Sequence, residues 1–370
     1  MHVRRLPSFP WDGLTRYADI ARAHPDGLVD LSVGTPVDPA PDLVQQALRA
    51  ATNAPGYPTT HGTFDLRVAA VRWMARGLGV ADADPDAVLP VIGAKELVAS
   101  LPGLLGLGPG DQVAIPAVAY PTYEVGALLA GAEPIATEDP TRLDSQRLRL
   151  VWLNSPANPT GQVLPAGYLR EVVSWARQHG VLVASDECYI ELGWEAQPTS
   201  VLHPEICGGS PESLLAVHSL SKRSNLAGYR GAFVAGDVQV VRQLLEVRKH
   251  TGMMMPAPIQ AAMVAALDDD EHVAGQRSRY VARRAILRSA LAAAGFAIDH
   301  SEAGLYLWVT REEPCWDTVR ALAELGILVA PGDFYGPLGR QHVRVALTAP
   351  DECIQAAADR LDPKIDKLFP

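Results

Sequence analysis

Little in this 370-residue chain is present in excess. No uninterrupted apolar stretch approaches the roughly 18 residues that a membrane-spanning helix needs, so no transmembrane span is expected. The four cysteines, Cys188, Cys207, Cys315 and Cys353, stand far apart. No pair has the short spacing of a zinc site, and the number is too small for a disulfide scaffold. A basic excess is missing too: the net charge of −10 argues against a nucleic-acid binder, which would carry a positive face. The opening residues hold two arginines but no apolar signal core, which fits a reduced, cytoplasmic setting. Glycine and proline are scattered, so neither a disordered linker nor an internal repeat emerges.

What is there is an ordinary globular composition, 48% hydrophobic and 20% charged, long enough for a large domain and a smaller one. Strand-length apolar runs at 88–92, 112–115, 133–136, 148–153, 181–184, 214–217 and 231–235 alternate with helical spacing, as at 97–107 and 165–179. Such alternation predicts an α/β fold with a mostly parallel sheet covered by helices on both faces. Past residue 296 the pattern turns to strands at 305–309, 327–330 and 342–346, among helices at 315–325 and 350–360. A large domain is therefore expected over 37–270. Residues 1–36, with a helix at 12–23 and a strand at 28–33, join 271–370 in a small α+β domain.

The chemistry gathers where strands end. The 214–217 run leads into His218-Ser219-Leu220-Ser221-Lys222, with Arg230 eight residues beyond the lysine. A lysine amine can form a Schiff base, while a hydroxyl and a guanidinium suit a phosphate. Pyridoxal 5′-phosphate is the cofactor that needs both; taken alone, the stretch reads equally well as a basic surface loop. Two further stretches break the tie, Asn154-Ser155-Pro156-Ala157-Asn158-Pro159-Thr160-Gly161 after one strand and Ser185-Asp186-Glu187-Cys188-Tyr189 after another. Open α/β sheets bind ligands at this carboxyl edge. A fourth strand exits through Gly93-Ala94-Lys95-Glu96 into a helix, whose first N–H groups face an anion readily.

NSPANPTG, SDECY and SLSKRSNLAGYRGAF, in that order, resemble the cofactor site of fold-type I pyridoxal-phosphate-dependent aminotransferases, and the likeness runs through essentially the whole chain. The resemblance implies Lys222 as cofactor anchor and general base, Asp186 at the pyridine nitrogen, and Asn158 and Tyr189 at the ring oxygen. It sends Ser219, Arg230 and the backbone of Gly93 and Ala94 to the phosphate. Lys95 is either a further ligand or an exposed helix-start lysine. Tyr120 is placed on the ring face, with Tyr123 as runner-up. Arg344, Asn158 and Gly34 would take the substrate α-carboxylate, the alternative for Arg344 being an edge-strand surface position. Tyr57 would cross a two-fold interface to the partner's cofactor in a homodimer with shared sites, or else pack locally in its turn.

The segments LPSFPWDGL and HPDGLVDLSVGTPVDPAP look most like the actinobacterial succinyldiaminopimelate aminotransferases. That implies transfer between N-succinyl-LL-2,6-diaminoheptanedioate and 2-oxoglutarate in lysine biosynthesis. Arg4, Arg5, His61 and Arg223 are either cations for the substrate's distal carboxylates or, as such residues more often are, surface residues. An aspartate or broad-range aminotransferase and a carbon–sulfur β-lyase are the alternatives. An aminotransferase-like regulator would need an attached DNA-binding domain, and the acidic balance opposes it. Met253, Met254 and Met255 read as core filler or as an apolar wall near the substrate. Asp268-Asp269-Asp270-Glu271 reads as the acidic start of a helix, not a metal site.

Overall fold

The computed structural model describes residues 6–361. In chain order its strands are β1 (Val29–Asp30), β2 (Val88–Ile92), β3 (Gln112–Pro116), β4 (Glu133–Thr137), β5 (Leu148–Asn154), β6 (Leu182–Asp186), β7 (Leu214–Ser219), β8 (Gly231–Gly236), β9 (Ala297–Asp299), β10 (Tyr306–Thr310), β11 (Ile327–Leu328), β12 (Ala330–Pro331) and β13 (His342–Ala346). Seven of them form one sheet in the order β2-β8-β7-β6-β5-β3-β4. Its pairings are parallel except around β8, which runs antiparallel to both β2 and β7. The exception has a simple cause: the chain between β7 and β8 is too short for a helical crossover, and a parallel neighbour needs one.

Alternation along the strands serves both faces of this sheet. On β7, Leu214 and Ala216 join one apolar cluster, with Leu66, Trp73, Val173 and Met263. Leu215 and Val217 join another, with Leu97, Tyr123, Trp152 and Leu244. A third cluster draws on both ends of the chain, uniting Leu14, Tyr17 and Leu31 with Tyr280, Leu287, Leu307 and Val345. It carries the smaller antiparallel sheet, β12-β13-β10-β9, and the β1–β11 pair. Tyr189 and Leu192, just past β6, sit in this third cluster and seat the small sheet against the large sheet's carboxyl edge.

Several predicted bounds shift for local reasons. The strand expected at 28–33 shrinks to Val29 and Asp30, which pair with Ile327 and Leu328; beyond them the Asp30 carboxylate draws the chain into a turn by accepting from Ser32 N (2.9 Å). The helix expected at 12–23 divides into a 3-10 turn, Pro10–Leu14, and the helix Thr15–Arg22. The one expected at 97–107 begins earlier, at Ala94, because Gly93 at φ 83 turns the chain straight out of β2 into the helix Ala94–Leu104. Strand β9 was not expected; three residues carry too little pattern to read. Of the methionines, Met255 is core and none of the three borders the cavity described below. The acidic run is a staple: Asp268 pairs with Arg72 (2.7 Å), Asp270 with Arg76 (2.6 Å), and Asp269 caps His272 N (3.0 Å).

Candidate active site

A cavity of about 480 Å³ opens at the carboxyl ends of β5, β6 and β7, between the start of the Ala94–Leu104 helix and the small sheet. At the end of β7 the Ser219 hydroxyl accepts from Ser221 N (3.2 Å), capping a single helical turn, Leu220–Arg223. That turn swings Lys222 into the cavity, where its ammonium donates to Gly34 O. Burial, with the Arg344 and Arg230 charges added, holds the lysine pKa below its ordinary value. A lysine so placed is nearer to a neutral, nucleophilic amine than a surface lysine is.

Arg230 takes a left-handed backbone conformation (φ 58) and donates from Nη1 to Ala227 O (2.8 Å). A Cβ on Gly93 would overlap its guanidinium, so only glycine lets the arginine lie across the start of the Ala94–Leu104 helix. Guanidinium, helix N-terminus and Ser219 together form a cradle for an anion.

Asp186 ends β6. Its buried carboxylate accepts from the Tyr123 hydroxyl (2.9 Å) and from Cys188 N (3.2 Å). Burial holds its pKa above the usual carboxylate range, and those two donors oppose the rise without cancelling it. Asn154 locks the neighbouring loops together: its Nδ2 donates to Asp186 O (3.0 Å) and its Oδ1 accepts from Asn158 N (2.8 Å). Asn158 Oδ1 in turn accepts from Arg344 Nη1 (2.9 Å), whose Nη2 donates to Ser32 O (2.7 Å). Arg344 is only 2% exposed and sits on β13, an inner strand, so the surface alternative falls. Its guanidinium lies 4.0 Å from the Tyr306 ring centre, 5.1 Å from Tyr335 and 5.9 Å from Trp11, and its buried Nε has no acceptor among the described residues.

Most of the predicted residues therefore meet in one cavity: Gly34, Ala94, Lys95, Tyr120, Asn158, Asp186, Tyr189, Ser219, Lys222, Arg230 and Arg344 all border it, and Gly93 abuts Arg230. Tyr123, the runner-up, borders the same cavity, but its fully buried ring gives its hydroxyl to Asp186 (2.9 Å) and stands edge-on to Tyr120. The Lys95 ammonium lies over Phe9 (5.4 Å) and Tyr120 (5.9 Å) at the mouth. Tyr57 is 95% exposed, so its local-packing alternative falls as well. Two cations expected near a distal carboxylate are elsewhere. Arg223 is buried behind β7, bound through Nε to Glu191 (2.5 Å) and through Nη1 to Ala266 O (2.8 Å). His61 is not among the residues bordering the cavity; it lies near Arg67 and Asp86. Arg4 and Arg5 fall outside the described residues. Phe9, Trp11 and Tyr306 were missed, since nothing but the fold brings β10 and the early chain to this edge.

The comparisons with known proteins agree with this geometry. Residues 26–361 match the family described as aminotransferase class I and II. A probable aminotransferase of Mycobacterium tuberculosis is 62% identical, over 96% of this chain and 85% of that one. The 4-dedimethylamino-4-oxo-anhydrotetracycline transaminase of Streptomyces rimosus is 58% identical, over 97% of this chain and 100% of that one. Among solved structures, a probable N-succinyldiaminopimelate aminotransferase of Thermus thermophilus shares 30% identity at a TM-score of 0.85, covering 95% of this chain and 99% of that one. The chain belongs to the class I and II aminotransferases, enzymes of fold type I that use pyridoxal phosphate. The cavity fits that cofactor: a phosphate-sized cradle that a Cβ on Gly93 would close, a buried carboxylate suited to a cationic ring nitrogen, and a buried lysine.

Proposed function

We propose that this aminotransferase moves an amino group between N-succinyl-LL-2,6-diaminoheptanedioate and 2-oxoglutarate, in diaminopimelate and lysine biosynthesis, within the cytoplasm. The observation that carries the reading is that several cations line one cavity, Arg344 buried and Lys95 exposed, with Lys222 and Arg230 beside them. A carboxylate at each end of the substrate meets a positive charge. The likeness to the Thermus protein supports the same substrate class.

The bound cofactor supplies an electron sink that weakens the bonds at the substrate's Cα. Every other task falls to the chain. Ser219, Arg230 and the Ala94 N–H hold the phosphate, whereas the Gly93 N–H, expected there too, is already given to Val91 O (2.8 Å); the Asp186 carboxylate keeps the ring nitrogen protonated. Tyr189 and Asn158 serve the ring oxygen, while Tyr120 covers a ring face. Arg344, with Asn158 and the Gly34 backbone, orients the α-carboxylate, and Lys222 takes the Cα proton as general base. Tyr57, exposed in one chain, reaches the phosphate of the partner subunit in a homodimer. The large unit is residues 37–270 and the small one 1–36 with 271–370, as the apolar clusters suggest; limited proteolysis cutting first near 36 and 270 checks the division.

A second reading has its own support. The tetracycline-series relative aligns over its full length, and Phe9, Trp11 and Tyr120 line the mouth here. An aromatic mouth suits a polycyclic ketone as acceptor. One screen decides: amino donors are paired with 2-oxoglutarate and glutamate formation is followed. A kcat/KM for the succinylated donor no better than for aspartate sinks the first reading, and amination of an anhydrotetracycline-type ketone by glutamate establishes the second.

A further inference from the structure

The Tyr189 hydroxyl lies 3.1 Å from the Tyr306 hydroxyl, both buried. Tyr306 is the first residue of β10, on the small sheet, whereas Tyr189 leaves the large sheet. The pair is thus a bond between the two sheets, made inside the cavity. The surroundings of the Tyr306 ring are built to keep its hydroxyl there. The Arg344 guanidinium stands 4.0 Å from the ring centre. A Cβ on Gly34 would collide with the Tyr306 hydroxyl and with Cε1 and Cζ (2.6 Å each), so residue 34 must be glycine for the phenol to fit. Gly34 O is also the acceptor for Lys222.

We propose that Tyr306 is a positioning residue for the aminotransferase reaction, its hydroxyl donating to Tyr189 Oη so that the Tyr189 proton is directed toward the cofactor's ring oxygen. The proposal rests on the reading of Tyr189 given above. The direction of donation follows from the proton count. A phenol has one proton, so if Tyr189 gives its own to the ring oxygen, the 3.1 Å contact can be filled only by the Tyr306 proton. Burial raises the pKa of both phenols, while the Arg344 and Lys222 charges, with the bond to Tyr189 itself, lower that of Tyr306. The two cations act in the same sense, since they make Tyr306 the better donor. The ionisable groups facing the pair are Arg344 from β13, Lys222, Cys188 beside Tyr189, and Tyr280 and Tyr335, whose own pKa values are raised chiefly by burial. Two donors in series stabilise negative charge on a ring oxygen better than one.

The test is a spectroscopic titration of the holoenzyme without substrate, following the pH midpoint of the bound cofactor's visible band. A weaker donor chain leaves the ring oxygen more basic, so Tyr306→Phe should raise the midpoint by about half a pH unit, the size of one modest hydrogen bond. Tyr189→Phe should raise it further, and the double variant should match Tyr189→Phe alone, because Tyr306 acts only through Tyr189. A purely structural role would alter melting of the apoprotein and leave the midpoint in place. A midpoint moved by Tyr189→Phe but not by Tyr306→Phe overturns the inference and spares the reading of Tyr189. No movement in either variant removes both. Should Tyr306→Phe bind cofactor poorly, an additive midpoint shift in the double variant at saturating cofactor would equally overturn it.

Discussion

The ends of β6 and β7 carry polar clusters on two opposite sides. In front, facing the cavity, stand Asp186, Ser219 and Lys222; behind, in a closed pocket of about 10 Å³, stand Glu187, His218 and Arg223 beside Trp73. Members of the two sets are chain neighbours, Asp186 with Glu187 and His218 with Ser219, and they are buried alike. The difference lies in what is open to each. The front borders a space that holds a ligand, so its displaced pKa values become reactivity. The rear holds one water-sized void and, among the described residues, leaves Glu187 Oε2, both His218 nitrogens and Arg223 Nη2 without hydrogen-bond partners. Its burial therefore turns into neutrality: Glu187 is pushed up to about 7 and His218 down to about 3, burial being the main cause of each. Their separation of 3.7 Å is too long for a hydrogen bond, and at pH 6 both are largely neutral, so this is not an ion pair.

If the front is where burial becomes chemistry, Lys222→Ala should cost the most. Turnover is expected to fall by at least about a thousandfold, since anchor and general base vanish together. Cofactor should still bind through Ser219 and Arg230. In the wild type, borohydride reduction followed by peptide mapping should place the cofactor on Lys222; an adduct on Lys95 instead would break the front-side assignment.

Asp186→Ala comes next. The carboxylate is buried, and among the described residues its donors are Tyr123 and Cys188, so its charge is available to a cationic ring. Turnover should fall on the order of a hundredfold while cofactor occupancy, measured by absorbance, changes far less. Wild-type turnover in this variant would mean that another group protonates the ring.

Tyr57 sharpens the contrast between front and rear in another way, since the proposed site takes it from the partner chain. Tyr57→Ala should weaken cofactor binding roughly tenfold, the value of one hydrogen bond to a charged group. Mixed dimers of Lys222→Ala and Tyr57→Ala chains should regain one intact site, built from Lys222 of the second chain and Tyr57 of the first, and with it wild-type cofactor affinity at that site. Cofactor binding that stays as weak as in Tyr57→Ala, in dimers shown to be mixed, would return Tyr57 to its own subunit.

Much of the front was legible before the fold was known. The three motifs each follow a strongly apolar strand, and strand ends converge at one edge of a parallel sheet whatever the details. The strands themselves were found nearly to the residue where both faces are buried, as in β2 and β8, because a continuous apolar run leaves little choice. What escaped was set by tertiary contact. Nothing local distinguishes Tyr306 from a core aromatic on β10, or marks Tyr123 as the donor to Asp186. Arg223 follows the lysine directly, yet the helical turn sends it to the opposite side, against Glu191. The rear cluster has no sequence signature at all, since a Glu after an Asp and a His before a Ser carry no spacing to read.

The smallest effect on turnover, and the sharpest contrast with the front, is expected from Glu187→Gln. The side chain points away from the cavity, so kcat should stay within about twofold of wild type. Stability should respond to pH instead. In the folded protein Glu187 keeps its proton up to about pH 7, whereas the unfolded chain loses it near 4.5. Between those values the native state binds more protons, so this group's contribution to stability is full below pH 4.5 and lost as pH rises to 7, by about 3 kcal/mol. His218 works the other way: its folded pKa of about 3 lies below the ordinary 6.5, so its contribution is full above 6.5 and lost as pH falls toward 3. From pH 4.5 to 6.5 the two slopes cancel in the wild type. Glutamine removes only the Glu187 slope. It keeps an oxygen for Val201 N, which Glu187 Oε1 now serves at 2.8 Å, and its amide can donate toward His218. Urea unfolding at saturating cofactor should therefore show the variant gaining about 3 kcal/mol on the wild type between pH 5 and pH 8. A difference that stays constant over that range would mean that Glu187 is already ionised in the folded protein, and that the rear pocket is not the neutral counterpart of the front.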